Sequence, residues 1–363
     1  MENLFNGIYK NKKVLITGHT GFKGSWLTLW LTKLGANVIG YSKDIPTTPN
    51  HFELLNPEII SITGDVLDKE KILQVLSEHK PDIIFHMAAQ PLVRKSYRDP
   101  VETFETNIIG TINVLEAARK VGTIEAIVNI TSDKGYKNNE DGRAYSEDDP
   151  MGGNDPYSAS KGAAELVSQS YRTSFFHHNK YGKDHSTLIA NVRAGNVIGG
   201  GDWAEDRLIP DIIKAAERGE TVIIRRPRAV RPWQHVLEPL SGYLLLGSHL
   251  LKGKKEYADD WNFGPGEDAT ITVGDVLKQA KKYWDTIAFE IQEDPHAVHE
   301  ATLLRLNTAK ARTKLDWKSV WNADKTFQKT IEWYKNYYVH EKIVSEQDLQ
   351  EYIEEMKKQY YKK

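Results

Sequence analysis

The chain has no cysteine among its 363 residues. Disulfides, thiolate metal sites and cysteine nucleophiles are thereby excluded, and the absence fits a reducing cytoplasm. Long apolar runs are missing as well. The most apolar block, YLLLGSHLL at 243–251, is far too short to span a bilayer. The opening stretch MENLFNGIYKNKK has no uninterrupted apolar segment of the kind a signal peptide needs. Excess charge is lacking too: 48 Lys and Arg stand against 50 Asp and Glu, a formal net charge of −2. Nothing in the overall field therefore favours nucleic acid or an anionic membrane. No repeat or low-complexity tract stands out. His177 and His178 are adjacent on a helical pattern and point different ways, so no metal site is expected. The expectation is a soluble cytoplasmic protein with no nucleic-acid or membrane partner.

What is present is a pattern of alternation. Short apolar runs occur at 14–17 (VLIT), 36–41 (ANVIGY), 60–63 (ISIT), 82–88 (DIIFHMA) and 126–131 (AIVNIT). Between them, helical patterns cover 22–34, closed by Gly35, then 68–79, stopped by Pro81, and about 99–121, closed by Gly122. A further helix and strand are expected at 157–175 and 187–192. Near-continuous apolar strands separated by helices predict a parallel sheet covered on both faces. After about residue 200 the segments shorten and Pro, Arg and Trp become frequent, as in RRPRAVRPWQHV at 225–236. The fold class read from this is α/β: a Rossmann-type doubly wound parallel sheet with a smaller C-terminal α/β substrate lobe. The expected division is 1–195 for the dinucleotide domain, 196–340 for the substrate lobe and 341–363 for a charged helical tail on the surface.

The strand at 14–17 runs directly into GHTGFKG at 18–24, with glycines at 18, 21 and 24. At a strand-to-helix turn, such glycines let the backbone approach a pyrophosphate at a helix N-terminus. The spacing G-x-x-G-x-x-G departs from the commoner G-x-G-x-x-G, and a purely structural tight turn is the competing explanation. The second strand ends GYSKD at 40–44, where Ser42 and Lys43 occupy the ribose-reading region, so the residues leave NAD and NADP both open. In GDVLD at 64–68, Asp65 suits the adenine amino group and Val66 can cover the ring, while Asp68 reads equally as a helix N-cap. Further on, YSASK at 157–161 places Tyr157 and Lys161 on one helix face. A nearby ammonium lowers a phenol's pKa by roughly one to three units, fitting the tyrosine for proton transfer near neutral pH. Ser132, ending the fifth strand, would hold a substrate oxygen beside it.

This set, Gly18/Gly21/Gly24, HMAAQ at 86–90, NIIGT at 107–111, Ser132, Tyr157 and Lys161, resembles the extended short-chain dehydrogenases/reductases that act on nucleotide sugars. Four segments, TSDKGYKN (131–138), RAGNVIGGGDWAEDRLIPD (193–211), RPWQHVLEPL (231–240) and WNFGP (261–265), look like those of the CDP-glucose 4,6-dehydratases. The resemblance covers roughly residues 10–340. It implies a bound NAD held by Gly18, Thr20, Gly21, Phe22, Gly24, Asp65, Val66, Ala88, Ala89, Gln90, Asn107, Tyr157 and Lys161. It implies a lyase of deoxysugar biosynthesis serving surface polysaccharide, O-antigen and lipopolysaccharide included. It makes Asp133 the acid for the departing C6 hydroxyl and Lys134 the candidate base at C5. A lysine base must be neutral, and the neighbouring Asp133 opposes that. For the nucleotide sugar the candidates are Arg193, Asn196, Arg207, Arg231, His299 and Arg305, and the CDP specificity comes from resemblance alone. Family members pair two helices with a symmetry mate, so a homodimer through 99–121 and 157–175 is expected. The alternatives are a dehydratase or 4-epimerase of another nucleotide sugar, and a non-catalytic dinucleotide sensor.

Overall fold

The computed structural model describes residues 1–139, 141–224, 227, 230–266, 270–292 and 304–360. Its centre is a seven-stranded parallel sheet. In chain order its first five strands are β1 (Lys13–Thr17), β2 (Asn37–Ser42), β3 (Ile60–Thr63), β4 (Ile83–His86) and β5 (Ala126–Ile130). After the short β6 (Ala144–Tyr145) comes β7 (Leu188–Ala194), and β11 (Asp260–Phe263) closes the far edge. Across the sheet the order is β11, β7, β5, β4, β1, β2, β3, with the reversal between β1 and β4 that makes a doubly wound sheet.

The central strands β1, β4 and β5 are largely apolar because both faces of the sheet are covered there, yet β1 still obeys a period of two. Val14 and Ile16 of β1 join one core with Trp26 and Trp30 of the helix Phe22–Lys33 and with Leu240 and Leu244 of the helix Leu237–Leu251. Leu15 faces the other core, among Ile72 and Leu76 of Lys69–His79 and Val114 and Leu115 of Gly110–Val121. Alternation of this kind is what the run of four apolar residues at 14–17 conceals.

The remaining strands are short. β8 (Asn196–Ile198) lies parallel to β10 (Val230–His235), which pairs antiparallel with β12 (Thr270–Thr272). β9 (Thr221–Ile224) pairs with β13 (Ala288–Ile291), and β6 with β14 (Arg305–Leu306).

Three expectations are corrected. β11 comes from the second half of the chain but pairs with β7 in the main sheet, so the division near residue 195 is crossed by a strand. The helix expected over 99–121 is Pro100–Phe104 and Gly110–Val121 joined by one π turn, Glu105–Ile109. The tail is not a solvated surface helix: Ser345–Tyr360 buries Leu349, Tyr352, Ile353 and Met356, and Lys329 pairs with its Asp348 at 3.0 Å. Apart from the buried Asp348, its charged residues occupy the outer face, and that face dominated the sequence pattern. Among the described residues, no helix is long and apolar enough to cross a membrane.

Candidate active site

The cofactor cradle forms where β1 turns into the helix Phe22–Lys33. Gly18 sits at φ +78°, and a Cβ there would lie 2.9 Å from the Ala88 amide nitrogen. A Cβ on Gly24 would meet the Gly18 carbonyl oxygen at 2.1 Å. Both glycines are therefore required for the turn to lie flat against the end of β4. No side chain caps this helix at Gly21, which leaves its first amides free for an anion. Thr20 is buried and donates to the Asp44 carbonyl at 2.6 Å, holding the β2 exit beside the turn. Phe22 is half-buried at the first helical position and packs on the larger core.

Asp65 accepts from the Leu67 amide at 3.0 Å and pairs with Lys43 at 3.2 Å, so the lysine of the ribose-reading region is engaged by a carboxylate. Val66 is buried below Gly110, where a Cβ would come within 2.6 Å of it. Asp68 caps the helix Lys69–His79 through the Lys71 amide. Ala88 donates its amide to the Thr17 hydroxyl at 3.1 Å, and Ala89 follows it, half-buried. Gln90 is fastened by Asn107, whose amide group accepts from the Gln90 N–H at 2.8 Å and donates to its carbonyl at 3.1 Å. Asn107 also donates to Ser160 at 2.8 Å, tying the π turn to the helix that carries Tyr157. A concave line of small residues, free amides and one placed carboxylate fits a dinucleotide.

The residues expected to be catalytic gather at the C-terminal end of β5. Ser132 caps the short turn Asp133–Gly135, accepting from the Lys134 amide at 3.2 Å and donating to Asp133 at 3.1 Å. Tyr157 and Lys161 lie on the helix Pro156–Ser174, which starts with Asp155 as cap and Pro156 in its first turn. Ser132, Asp133, Tyr157 and Lys161 are all buried, whereas Lys134 is exposed. Burial raises the Asp133 carboxyl above its ordinary range, against the pull of Lys134 and Ser132. Burial also raises the Tyr157 phenol, opposed by a hydrogen bond with Ser132 and by the charge of Arg207. Lys161 is lowered to about 8 by burial and by the charge of Lys23. Gly135 packs on the same helix, where a Cβ would lie 3.3 Å from the Gly162 nitrogen, so a larger residue would press the loop away by a few tenths of an ångström.

Beneath the loop lies a buried ionic network that the sequence did not reveal. Glu165, one turn beyond Lys161, accepts from the Thr131 hydroxyl at 2.8 Å and from Arg193 Nε at 2.8 Å. Arg193 also donates to the Tyr136 hydroxyl and, at 3.1 Å, to the Glu147 carbonyl. Its guanidinium has no exposure and is spent on the protein, which removes it from the nucleotide. Lys23, within the glycine turn, was passed over as well. Burial and the charge of Arg207 lower it to about 8, with Asp133 and Asp202 opposing. A lysine inside a phosphate-binding glycine turn, where an apolar residue would pack more simply, was the available signal.

Of the other ligand candidates, Arg207 is the one whose charge reaches Tyr157 and Lys23, and Asp202 orients it at 2.8 Å. Asn196 is half-buried on β8 beside Trp233 of β10. Arg231 lies on β10 and donates to the Val230 carbonyl at 3.0 Å. Arg305, on β14, donates to the Gly142 carbonyl at 2.8 Å. His299 lies outside the described residues.

A glycine turn opening a Rossmann sheet, with a serine, a tyrosine and a lysine at the C-terminal end of its strand β5, defines a dinucleotide-dependent enzyme of the short-chain dehydrogenase/reductase kind. The family described as GDP-mannose 4,6-dehydratase matches residues 15–330, and the chain belongs to it. A CDP-glucose 4,6-dehydratase of Salmonella typhimurium strain LT2 is 47% identical over 349 residues, 95% of this chain and 97% of that protein. A probable dTDP-glucose 4,6-dehydratase of Sinorhizobium fredii is 25% identical over 89% of this chain and 92% of its own. Among solved structures, the epimerase Mth375 of Methanothermobacter thermautotrophicus superposes with a TM-score of 0.78 at 25% identity, covering 93% of this chain and 98% of that one. A dTDP-glucose 4,6-dehydratase of Bacillus anthracis in complex with NAD shares the fold, with a TM-score of 0.73 at 21% identity over 90% of this chain and 97% of that one.

Proposed function

We propose that this chain is a CDP-glucose 4,6-dehydratase, converting CDP-D-glucose to CDP-4-dehydro-6-deoxy-D-glucose and water with NAD as its resident cofactor. The observation that carries the reading is Asp133, a buried carboxyl hydrogen-bonded to Ser132 and close enough to Tyr157 to perturb it. An enzyme that only inverted C4 would need no such acid. The 47% identity to a CDP-glucose 4,6-dehydratase supports the choice of nucleotide.

Gly18, Thr20, Gly21, Phe22 and Gly24 would hold the pyrophosphate, with Asp65 and Val66 at the adenosine. Ala88, Ala89, Gln90 and Asn107 would line the middle, and Tyr157 and Lys161 the reacting end. When bound, NAD supplies the exchange of a hydride, taken from C4 and given back at C6. Tyr157 takes the proton of the C4 hydroxyl while Ser132 holds that oxygen and the Lys161 ammonium favours the phenolate. The C4 ketone acidifies the C5 hydrogen, which Lys134 removes. Asp133, whose carboxyl burial raises above its ordinary range, gives its proton to the departing C6 hydroxyl. Arg207, Arg231, Arg305 and Asn196 hold the nucleoside diphosphate, Arg207 nearest the sugar. The division of labour follows: residues 1–195 hold the cofactor, and 196–340, lent to the sheet at β11, hold the substrate.

The product is a deoxysugar precursor, suited to the surface polysaccharide of a cell, and the lack of cysteine supports a cytoplasmic site of synthesis. A second copy of the chain covers the helices beside the active site. Val101 is 66% exposed and Leu166 56%, with Tyr97, Phe104 and Ile109 exposed on the same group of helices. Apolar exposure concentrated there suits an isologous four-helix contact.

The test is turnover with CDP-, dTDP-, UDP- and GDP-glucose in separate reactions, each product identified by mass and NMR. Loss of water from CDP-glucose alone, without net reduced cofactor, is the expected result. Loss of water from a different nucleotide's glucose would keep the chemistry and sink the CDP assignment. A galactose product of unchanged mass would make the enzyme an epimerase.

A further inference from the structure

We propose that Tyr136 is a positioning residue, whose hydroxyl sets Asp133 and Lys134 against the helix that carries Tyr157 and Lys161. This role presupposes that Asp133 and Lys134 act as acid and base. Oxidation at C4 and loss of water at C6 then use two different groups of side chains. Tyr157 and Lys161 belong to one helix, so helical geometry fixes their spacing. Asp133 and Lys134 belong to a turn at the end of β5, which must be held in register with that helix.

The ion pair of Glu165 and Arg193 reaches both ends of the turn. Glu165 lies one helical turn beyond Lys161 and moves with the catalytic helix. It accepts at 2.8 Å from the hydroxyl of Thr131, the residue before Ser132. Arg193 donates to Glu165 through Nε at 2.8 Å, and through a terminal nitrogen to the hydroxyl of Tyr136, the residue after Gly135. The four residues Ser132 to Gly135 therefore span two side chains fastened to one ion pair.

The two ends are not held equally. Thr131 is also tied to the sheet, its amide and hydroxyl both donating to the Val192 carbonyl, at 2.9 and 3.1 Å. Ser132 thus follows a residue that is anchored without the ion pair. At the far end, the Gly135 carbonyl and the Lys137 amide bond to Gly152 and Pro150, in the loop that precedes the catalytic helix. The Tyr136 hydroxyl joins that end to the sheet, accepting from Arg193 on β7 and donating to Asn262 Oδ1 on β11 at 2.9 Å. Burial raises the phenol, so the hydrogen it donates stays in place. Asn262 donates in turn to the Asn307 carbonyl at 3.2 Å, beside β14, which links the turn to the second half of the chain.

Tyr136→Phe removes this hydroxyl and keeps the ring, which stacks on Tyr145 with centroids 5.3 Å apart. With cofactor-loaded enzyme and CDP-glucose, stopped-flow absorbance follows reduced nicotinamide and mass analysis follows water loss. Water loss should slow roughly 100-fold, the scale of a catalytic group misplaced by about 1 Å. C4 oxidation should stay near the wild-type rate, so reduced nicotinamide builds up in the variant. Glu165→Gln keeps an acceptor for Thr131 and Arg193 but removes the ion pair. It should show the same build-up, and it carries the test if Tyr136→Phe does not fold. Wild-type water loss in the folded variant, or oxidation and water loss slowed together, would overturn the proposal and leave Tyr136 a packing residue. Wild-type enzyme that released no water from CDP-glucose would instead remove the dehydratase reading, and this role with it.

Discussion

Asp133 and Lys134 are neighbours in sequence, but the turn they share gives them opposite surroundings. The carboxylate is buried against Ser132, and the lysine is exposed. Burial favours the protonated form of a carboxylic acid, the form that can donate to a leaving hydroxyl. Asp133→Asn should lower the rate of water loss at least ~100-fold while C4 oxidation continues. The check is mass analysis of the sugar together with the near-ultraviolet absorbance of reduced nicotinamide, which should now accumulate. Retention of full dehydration would show that the acid lies elsewhere. Below this loop, Arg193 and Glu165 form an ion pair with no exposed surface. Arg193→Met leaves a carboxylate buried without its partner and should cost ~3–5 kcal/mol. Urea denaturation measures it, and an unchanged midpoint would mean the network does not support the loop.

At the scale of elements, the docked C-terminal helix depends on buried carboxyls. Glu238 accepts from the Val320 amide at 2.9 Å, the Trp321 amide at 2.7 Å and the Tyr352 hydroxyl at 2.9 Å, yet burial pushes it up to about 7. Burial likewise raises Asp348 to about 6, against the pull of Lys329. Both folded values lie above those of the unfolded chain, so the folded state retains protons that the unfolded state has released. Their contribution is complete below about pH 4 and declines as pH rises towards 7. The melting temperature should fall from pH 5 to 7.5, and Glu238→Gln should flatten that fall. An equal slope in the variant would remove Glu238 as its source. Leu349→Ala, in the same contact, should cost about 2–5 kcal/mol by cavity formation, read from the urea midpoint.

For the whole molecule, the proposed homodimer would cover the exposed apolar residues on the helices around Tyr157. Leu166→Glu with Val101→Glu would place charges in a self-complementary contact, where each repeats across the symmetry axis. Sedimentation should show a dimer becoming a monomer, and a variant still dimeric would relocate the interface. The helices involved also carry Tyr157, Lys161 and Asn107, so loss of the contact should lower turnover as well.

Much of this was legible in the chain itself. The apolar runs and intervening helical patterns determined the parallel sheet, because strands covered on both faces admit few polar residues. The spacing of Gly18, Gly21 and Gly24 determined the strand-to-helix turn, and that of Tyr157 and Lys161 their place on one helix, since backbone conformation and helical period are local properties. Tertiary structure alone decided the rest. A run of four residues such as β11 carries too little pattern to reveal that it crosses from the second half of the chain into the first sheet. The helix Ser345–Tyr360 reads as solvated because its charges outnumber the four hydrophobic side chains it buries. Arg193 reads as a ligand for phosphate until the fold sets Glu165 against it. Whether a charged side chain meets a substrate or a buried counter-charge depends on which distant segment packs beside it, and residue spacing does not contain that.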